Sequence, residues 1–240
     1  MKVLSIGNSF SQDAQRYLHE IACQNGVDMK TVNLFIGGCS LRTHYLNVLG
    51  DKPAYELQFN GQSTGVRVSM SQVLESDDWD VITLQQASHL SWKEETYFPY
   101  ITALADYVRK YCPHAKIAIH QTWAYEDGCE RLLTVTGQPS ALQMLKDLQK
   151  AYDKAAETIG ADLIIPSGQA MYNATQMGIQ KIHRDRFHAS LGAGRYMLGL
   201  TWLKALTGQD ISQDRFTAFD EEVTEEQREI LIKAVNAAFA

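Results

Sequence analysis

The first eleven residues constrain this chain most. Lys2-Val3-Leu4-Ser5-Ile6 has the length and apolar content of a short buried strand. Gly7-Asn8-Ser9-Phe10-Ser11 then turns the chain, and Ala14, Tyr17, Leu18, Ile21 and Ala22 recur at the spacing of one helix face. A strand, a glycine-bearing turn and a helix make the first half of a βαβ unit. In open α/β sheets such turns lie at the carboxyl edge of the strands, where ligands bind. Ser9 is thereby placed beside a helix N-terminus, where N–H groups are unpaired and the helix dipole favours negative charge. A serine there can attack a carbonyl while nearby amides stabilise the oxyanion. The position also suits a helix cap by Ser9 or Ser11, and this stretch alone leaves both readings open.

The remainder repeats the theme. Residues 31–36, 79–84, 116–119 and 162–165 read as further core strands. Helical patterns cover about 41–49, 71–75, 99–111, 140–159, 170–177 and 191–206, and a last helix opens on the capping box Thr224 with Gln227. Alternating strands and helices imply an α/β fold with a central parallel sheet of about five strands, helices on both faces. Residues 55–59, Asn60-Gly61 and 66–68 read as a small β-hairpin excursion off that sheet. Residues 126–139, with Gly128, Gly137 and Pro139, read as a long loop. With no repeat and no linker, a single domain over 1–240 is expected.

Bulk properties exclude several classes. The net charge is −6 and the basic residues form no runs, so no nucleic-acid partner is expected. No apolar run approaches the roughly 18 residues of a membrane span, so no membrane partner is expected either. The chain opens on its first strand without a charged and apolar leader, which reads as cytoplasmic; a chain trimmed of a signal peptide would read the same. Cys23, Cys39, Cys112 and Cys129 are far apart and form no C-x-x-C pair, which suits buried thiols better than zinc or a disulfide framework.

The chemistry is sharpened near the C-terminus. Asp185 and His188 lie three residues apart just before a helix, a spacing at which a loop can turn both to one side. A carboxylate on one imidazole nitrogen fixes the tautomer, and the other nitrogen can take a proton from a serine. If this loop closes over the first strand, Ser9, Asp185 and His188 form a triad.

G-N-S at the end of the first strand together with D-x-x-H resembles the SGNH hydrolases, the GDSL-like esterases. The set G-N-S-F-S, L-Q-Q-x-S, H-x-T-W-A-Y and D-x-x-H looks like an uncharacterised branch of that superfamily, a domain of unknown function. The resemblance implies a three-layer α/β/α, flavodoxin-like fold and catalytic roles for Ser9, Asp185 and His188. It further implies an oxyanion hole from the backbone N–H groups of Ser9 and of Gly38, or less favourably Gly37. The third block departs from the family: where G-x-N-D supplies an asparagine donor, this chain has Leu84-Gln85-Gln86-Ala87-Ser88. A glutamine amide offers the same donor on a longer arm, so Gln86, or else Gln85, is expected to complete the hole. Asn8 also stands where the family has an aspartate beside the nucleophile.

His120, Trp123 and Tyr125 follow the fourth strand to the same edge and are expected to line a substrate pocket. The substrate expected is a short acyl ester, such as an acetyl group on a carbohydrate, handled without a cofactor or metal; the oligomeric state is left open. A competing reading takes His183, Asp185 and His188, with His120, as ligands of a hydrolytic metal. A third takes the fold as a non-catalytic sugar-binding module. His44 and His89 share this edge but are expected to be incidental. Arg184 and Arg186 are expected to be solvated loop charges, and Cys39 a small buried thiol.

Overall fold

The computed structural model describes residues 1–240. In chain order its elements are β1 (Lys2–Gly7), α1 (Ser9–Gln15), α2 (Leu18–Gln24), β2 (Lys30–Phe35), α3 (Leu41–Leu49), β3 (Tyr55–Phe59), β4 (Gln62–Val68) and α4 (Met70–Leu74). They continue with β5 (Val81–Leu84), α5 (Tyr100–Tyr111), β6 (Lys116–Gln121), α6 (Glu130–Thr136), α7 (Ala141–Ile159), β7 (Leu163–Pro166), α8 (Ser167–Gln176), α9 (Ala193–Thr207) and α10 (Glu225–Asn236). The seven strands form one sheet in the order β4-β3-β2-β1-β5-β6-β7. Counted alone, the five parallel strands run second, first, third, fourth, fifth, which is the flavodoxin-like order.

That order explains the site's location. The chain leaves β1 toward one side of the sheet for β2 and later toward the other for β5, so a crevice opens at their carboxyl ends. The central strands are buried on both faces: β5 is fully buried, and β1 is buried from Val3 onward. The helices form two groups that flank the sheet. One comprises α1, α2, α8, α9 and α10, the other α3, α4, α5 and α7. A continuous core of 61 buried apolar residues joins the layers. No helix is long and apolar enough to cross a membrane.

Three sequence expectations need correction. The hairpin is no excursion: β3 pairs antiparallel with β2 and widens the sheet to seven strands. Its turn is Asn60 and Gly61, both at positive φ (47° and 77°), which fits the twist of a two-residue hairpin. The first helix is two: at Arg16 the N–H bonds to Asp13 O, three residues back, and the helix restarts at Leu18. The five apolar positions that marked its face are nonetheless all fully buried. The loop after β6 contains α6, which ends on Gly137 in the left-handed region.

Candidate active site

β1 delivers the chain to a crowded turn. A Cβ at Gly7 would lie 2.0 Å from Ser11 Oγ, so only glycine fits there. Asn8 caps α1, accepting the Phe10 N–H on Oδ1 at 2.9 Å, and Ser11 Oγ accepts the Asn8 N–H at 3.1 Å. Capping thus falls to Asn8 and Ser11. Ser9, the first helical residue, keeps its hydroxyl and its N–H free of capping duty.

The loop between α8 and α9 meets it from across the crevice. His188 Nε2 lies 2.9 Å from Ser9 Oγ, and His188 Nδ1 lies 2.7 Å from Asp185 Oδ2. Asp185 Oδ1 also accepts the N–H groups of His188 at 2.9 Å and Phe187 at 3.4 Å. Burial alone would push the Asp185 carboxyl up; the hydrogen bonds from the His188 side chain and these N–H groups outweigh it and hold it below the ordinary value. An ionised carboxylate on Nδ1–H leaves Nε2 as the acceptor facing the serine hydroxyl.

The loop is anchored to the helix that carries the serine. Arg184 Nη1 donates to both carboxylate oxygens of Asp13 at 2.9 Å, and Arg195 Nε adds a third contact at 2.9 Å. Asp13 is fully buried and stands one helical turn after Ser9. Arg184 is therefore a structural anchor, where a solvated charge was expected. The Arg184 N–H bonds to His188 O at 3.0 Å, closing the loop on itself. Arg186 pairs with Glu126 at the surface.

Opposite the triad, Gly37 and Gly38 line a cleft of about 290 Å³ with Ser9 and His188. Gly38 adopts φ 63°, a conformation that favours glycine, and its N–H has no acceptor in the protein. Asn8 Nδ2 donates to Cys39 O at 3.0 Å and so ties this glycine loop to the serine turn. The N–H groups of Ser9, Gly37 and Gly38, none with an acceptor in the protein, border the same cleft as the serine hydroxyl.

The glutamines stand elsewhere. Gln86 Oε1 accepts the N–H groups of Leu41 at 3.0 Å and Ala87 at 2.9 Å, while Nε2 donates to Thr96 O and Oγ1 at 3.1 Å each. It holds loops together behind the site and does not line the cleft, which corrects its expected place in the oxyanion hole. Gln85 is also fully buried; its Nε2 donates to Asn8 Oδ1 at 2.8 Å and its Oε1 accepts from His120 Nδ1 at 2.7 Å. Gln85 supports the residue beside the nucleophile without facing the cleft.

His120, Trp123 and Tyr125 are also corrected: all three are fully buried and none borders the serine cleft. His120 sits between Gln85 and Ser167, and burial pushes its imidazole down to about 3. Trp123 stacks on Phe10 at 4.0 Å and donates from Nε1 to Phe187 O at 2.8 Å, bracing the loop that carries His188. Tyr125 OH meets Ser88 Oγ at 3.0 Å. Trp123 and Tyr125 instead border a separate cavity of about 550 Å³ that contains no triad residue.

The metal arrangement does not assemble. His183 Nε2 faces Ala124 O at 3.2 Å, and burial pushes its imidazole down to about 4. No three histidine, cysteine, aspartate or glutamate side chains converge anywhere. His44 is buried against Tyr55, and burial pushes the Cys39 thiol up to about 12. His89, in contrast, lines the serine cleft. So do Ser88, Phe187 and Arg131, which the sequence reading did not single out. Arg131 had no visible place because α6 was hidden in an apparent loop. Asp13 carried a weak signal, an acidic residue among the apolar positions of the first helix.

The family model DUF4886, "Domain of unknown function (DUF4886)", matches residues 2–239. The crystal structure of a DUF4886 family protein from Bacteroides uniformis is 34% identical, with a TM-score of 0.93 over 100% of this chain and 94% of that one. A protein of Slackia heliotrinireducens assigned to the SGNH hydrolases is 21% identical, with a TM-score of 0.62 over 86% of this chain and 98% of its own. An acetylxylan esterase from Geobacillus stearothermophilus is 15% identical, with a TM-score of 0.53 over 86% of this chain and 94% of its own. The last two likenesses establish a shared SGNH-type fold. No curated protein matches the chain by sequence.

Proposed function

The chain belongs to the DUF4886 family, and from that premise we propose that it is a serine esterase acting on short acyl esters, such as O-acetyl groups on a carbohydrate. The observation that carries this reading is the unbroken series Asp185–His188–Ser9, at 2.7 and 2.9 Å, ending in an open cleft. Ser9 Oγ attacks the ester carbonyl and His188 Nε2 takes its proton, the imidazolium being stabilised by Asp185. The N–H groups of Ser9 and Gly38 donate to the oxyanion. Collapse expels the alcohol, protonated by His188, and leaves an acyl-Ser9 ester. Water, deprotonated by the same histidine, releases the acid and restores the serine. The acetylxylan esterase of the same fold makes an acetylated sugar the first natural substrate to try.

Hydrolysis of p-nitrophenyl acetate by wild type and Ser9→Ala, each with and without chelator, tests this. The expected result is loss of turnover on the order of 10³ or more in Ser9→Ala, with wild type indifferent to chelator. Turnover that survives Ser9→Ala would sink the assignment.

A further inference from the structure

The lining of the serine cleft holds one fixed charge, the cation Arg131, together with His188 and His89, and no carboxylate. Arg131 forms no ion pair and no hydrogen bond; its guanidinium carbon rests 4.1 Å from the Phe187 ring centroid and 5.6 Å from that of Tyr125. Phe187 is the residue before His188, so this cation is docked on the catalytic loop itself. The other arginines around the loop are all committed: Arg184 to Asp13, Arg186 to Glu126, and Arg195 to Asp13 and Asp220. Lys93 is equally unpaired and lies 4.7 Å from the Trp92 ring centroid. Burial first, then the charges of Arg131 and Lys93, hold the His89 imidazole below its ordinary value, and no acidic group offsets them there. The triad carboxylate, Asp185, is engaged by His188 and does not line the cleft.

A guanidinium resting on an aromatic ring presents a fork of donors that matches a carboxylate in a bidentate manner. In a chain of net charge −6, a cleft with this sign concentrates anions against the field of the whole molecule. We propose that the ester cleaved at Ser9 carries a carboxylate near the scissile bond, and that Arg131 selects it, with Lys93 supplying supporting potential. This rests on the esterase reading and narrows its substrate to acidic esters, either an acidic sugar carrying acetyl groups or a dicarboxylic half-ester.

Two matched pairs separate the sources. Methyl tri-O-acetyl-glucopyranosiduronate against its C6 carboxamide places the charge on the alcohol side; p-nitrophenyl hemiglutarate against p-nitrophenyl butyrate places it on the acyl side. In wild type, one pair should favour the charged member by about 10- to 100-fold in kcat/KM, the range of one charge-assisted contact. Added salt should shrink that preference, and Arg131→Gln should bring the ratio close to one. Arg131 is exposed on a short helix, so the variant is expected to fold. Ratios at or below one in wild type for both pairs, or a preference untouched by Arg131→Gln, with Ser9-dependent cleavage of the neutral esters intact, overturn the acidic-substrate proposal and leave the esterase standing. No Ser9-dependent cleavage of any of the four esters overturns both.

Discussion

The amide of Gln86 is fully engaged before any substrate arrives: two backbone N–H groups on its oxygen, Thr96 on its nitrogen. Truncating it strands the buried Leu41 N–H, at a penalty of about 1–3 kcal/mol. Gln86→Ala is therefore expected to lose about that much stability in a urea melt while kcat changes by less than about tenfold, below the ~10²–10³ of a lost oxyanion donor. A loss of hundreds-fold in kcat at unchanged stability would return Gln86 to the oxyanion hole. The same residue marks the boundary of sequence reading. Ser9, Asp185 and His188 were legible because G-N-S after a strand and D-x-x-H before a helix together resemble the SGNH pattern, which favours a triad over helix capping or metal ligation. Gln85 and Gln86 are adjacent and chemically identical, and each had several buried groups within reach. Which group it meets depends on residues 10 to 45 positions away, such as Thr96, Leu41 and His120. Trp123 and Tyr125 were placed at the right edge, but their depth was set by Phe10 and Phe187, which no local pattern reveals.

Between elements, the decisive contact is the buried carboxylate of Asp13. It joins α1, which carries Ser9, to Arg184 beside Asp185 and to Arg195 on α9. The distance between nucleophile and base is thus fixed by an ion-pair network about one turn behind them. Asp13 is fully buried while Arg184 and Arg195 keep 26% and 13% of their side-chain surface exposed, so the arginines retain some solvation and the carboxylate has none. Removing the charge from such a group leaves two guanidinium ions facing a neutral amide. Asp13→Asn is expected to reduce stability by about 3–5 kcal/mol and to lower kcat more than it raises KM, because the loop carrying His188 loses its tether. Denaturant melts and steady-state kinetics at a temperature where the variant is folded check both parts; a folded variant with unchanged kcat would mean that the tether does not set the triad. Strands and most helices were legible because apolar runs, helical spacing and caps such as Thr224 with Gln227 are local. The α6 helix was not, since its flanking Gly128 and Gly137, and Pro139 beyond them, read as loop punctuation. The hairpin's pairing with β2 was equally hidden, because which strand a hairpin arm joins is a matter of topology.

Over the whole molecule, three imidazoles are folded away in neutral form. Burial pushes His44 and His120 down to about 3 and His183 down to about 4. In the unfolded chain each titrates near about 6.5. Below that value the unfolded state takes up protons that the folded state refuses, so stability must fall as pH drops from about 6.5 toward 4. Each such histidine contributes about 1.4 kcal/mol per pH unit through that window. The carboxyls held low in the fold, Asp51, Asp185, Asp210 and Asp220, lose their contribution only as pH falls through their depressed values, beneath this window. His44 provides the clean test. It lies parallel to Tyr55 at 5.6 Å, bonds the tyrosine hydroxyl through Nδ1 at 3.0 Å, and leaves a buried Nε2 without a partner. His44→Phe keeps the ring pair and removes the titrating group. Its loss of the tyrosine contact is the same at every pH, whereas the slope of unfolding free energy between pH 6 and 4.5 should flatten by about one proton. Urea melts across that range read the slope directly. An unchanged slope would mean that His44 carries its proton inside the fold. The expected flattening would assign a share of the acid loss of the protein to the buried imidazole of His44.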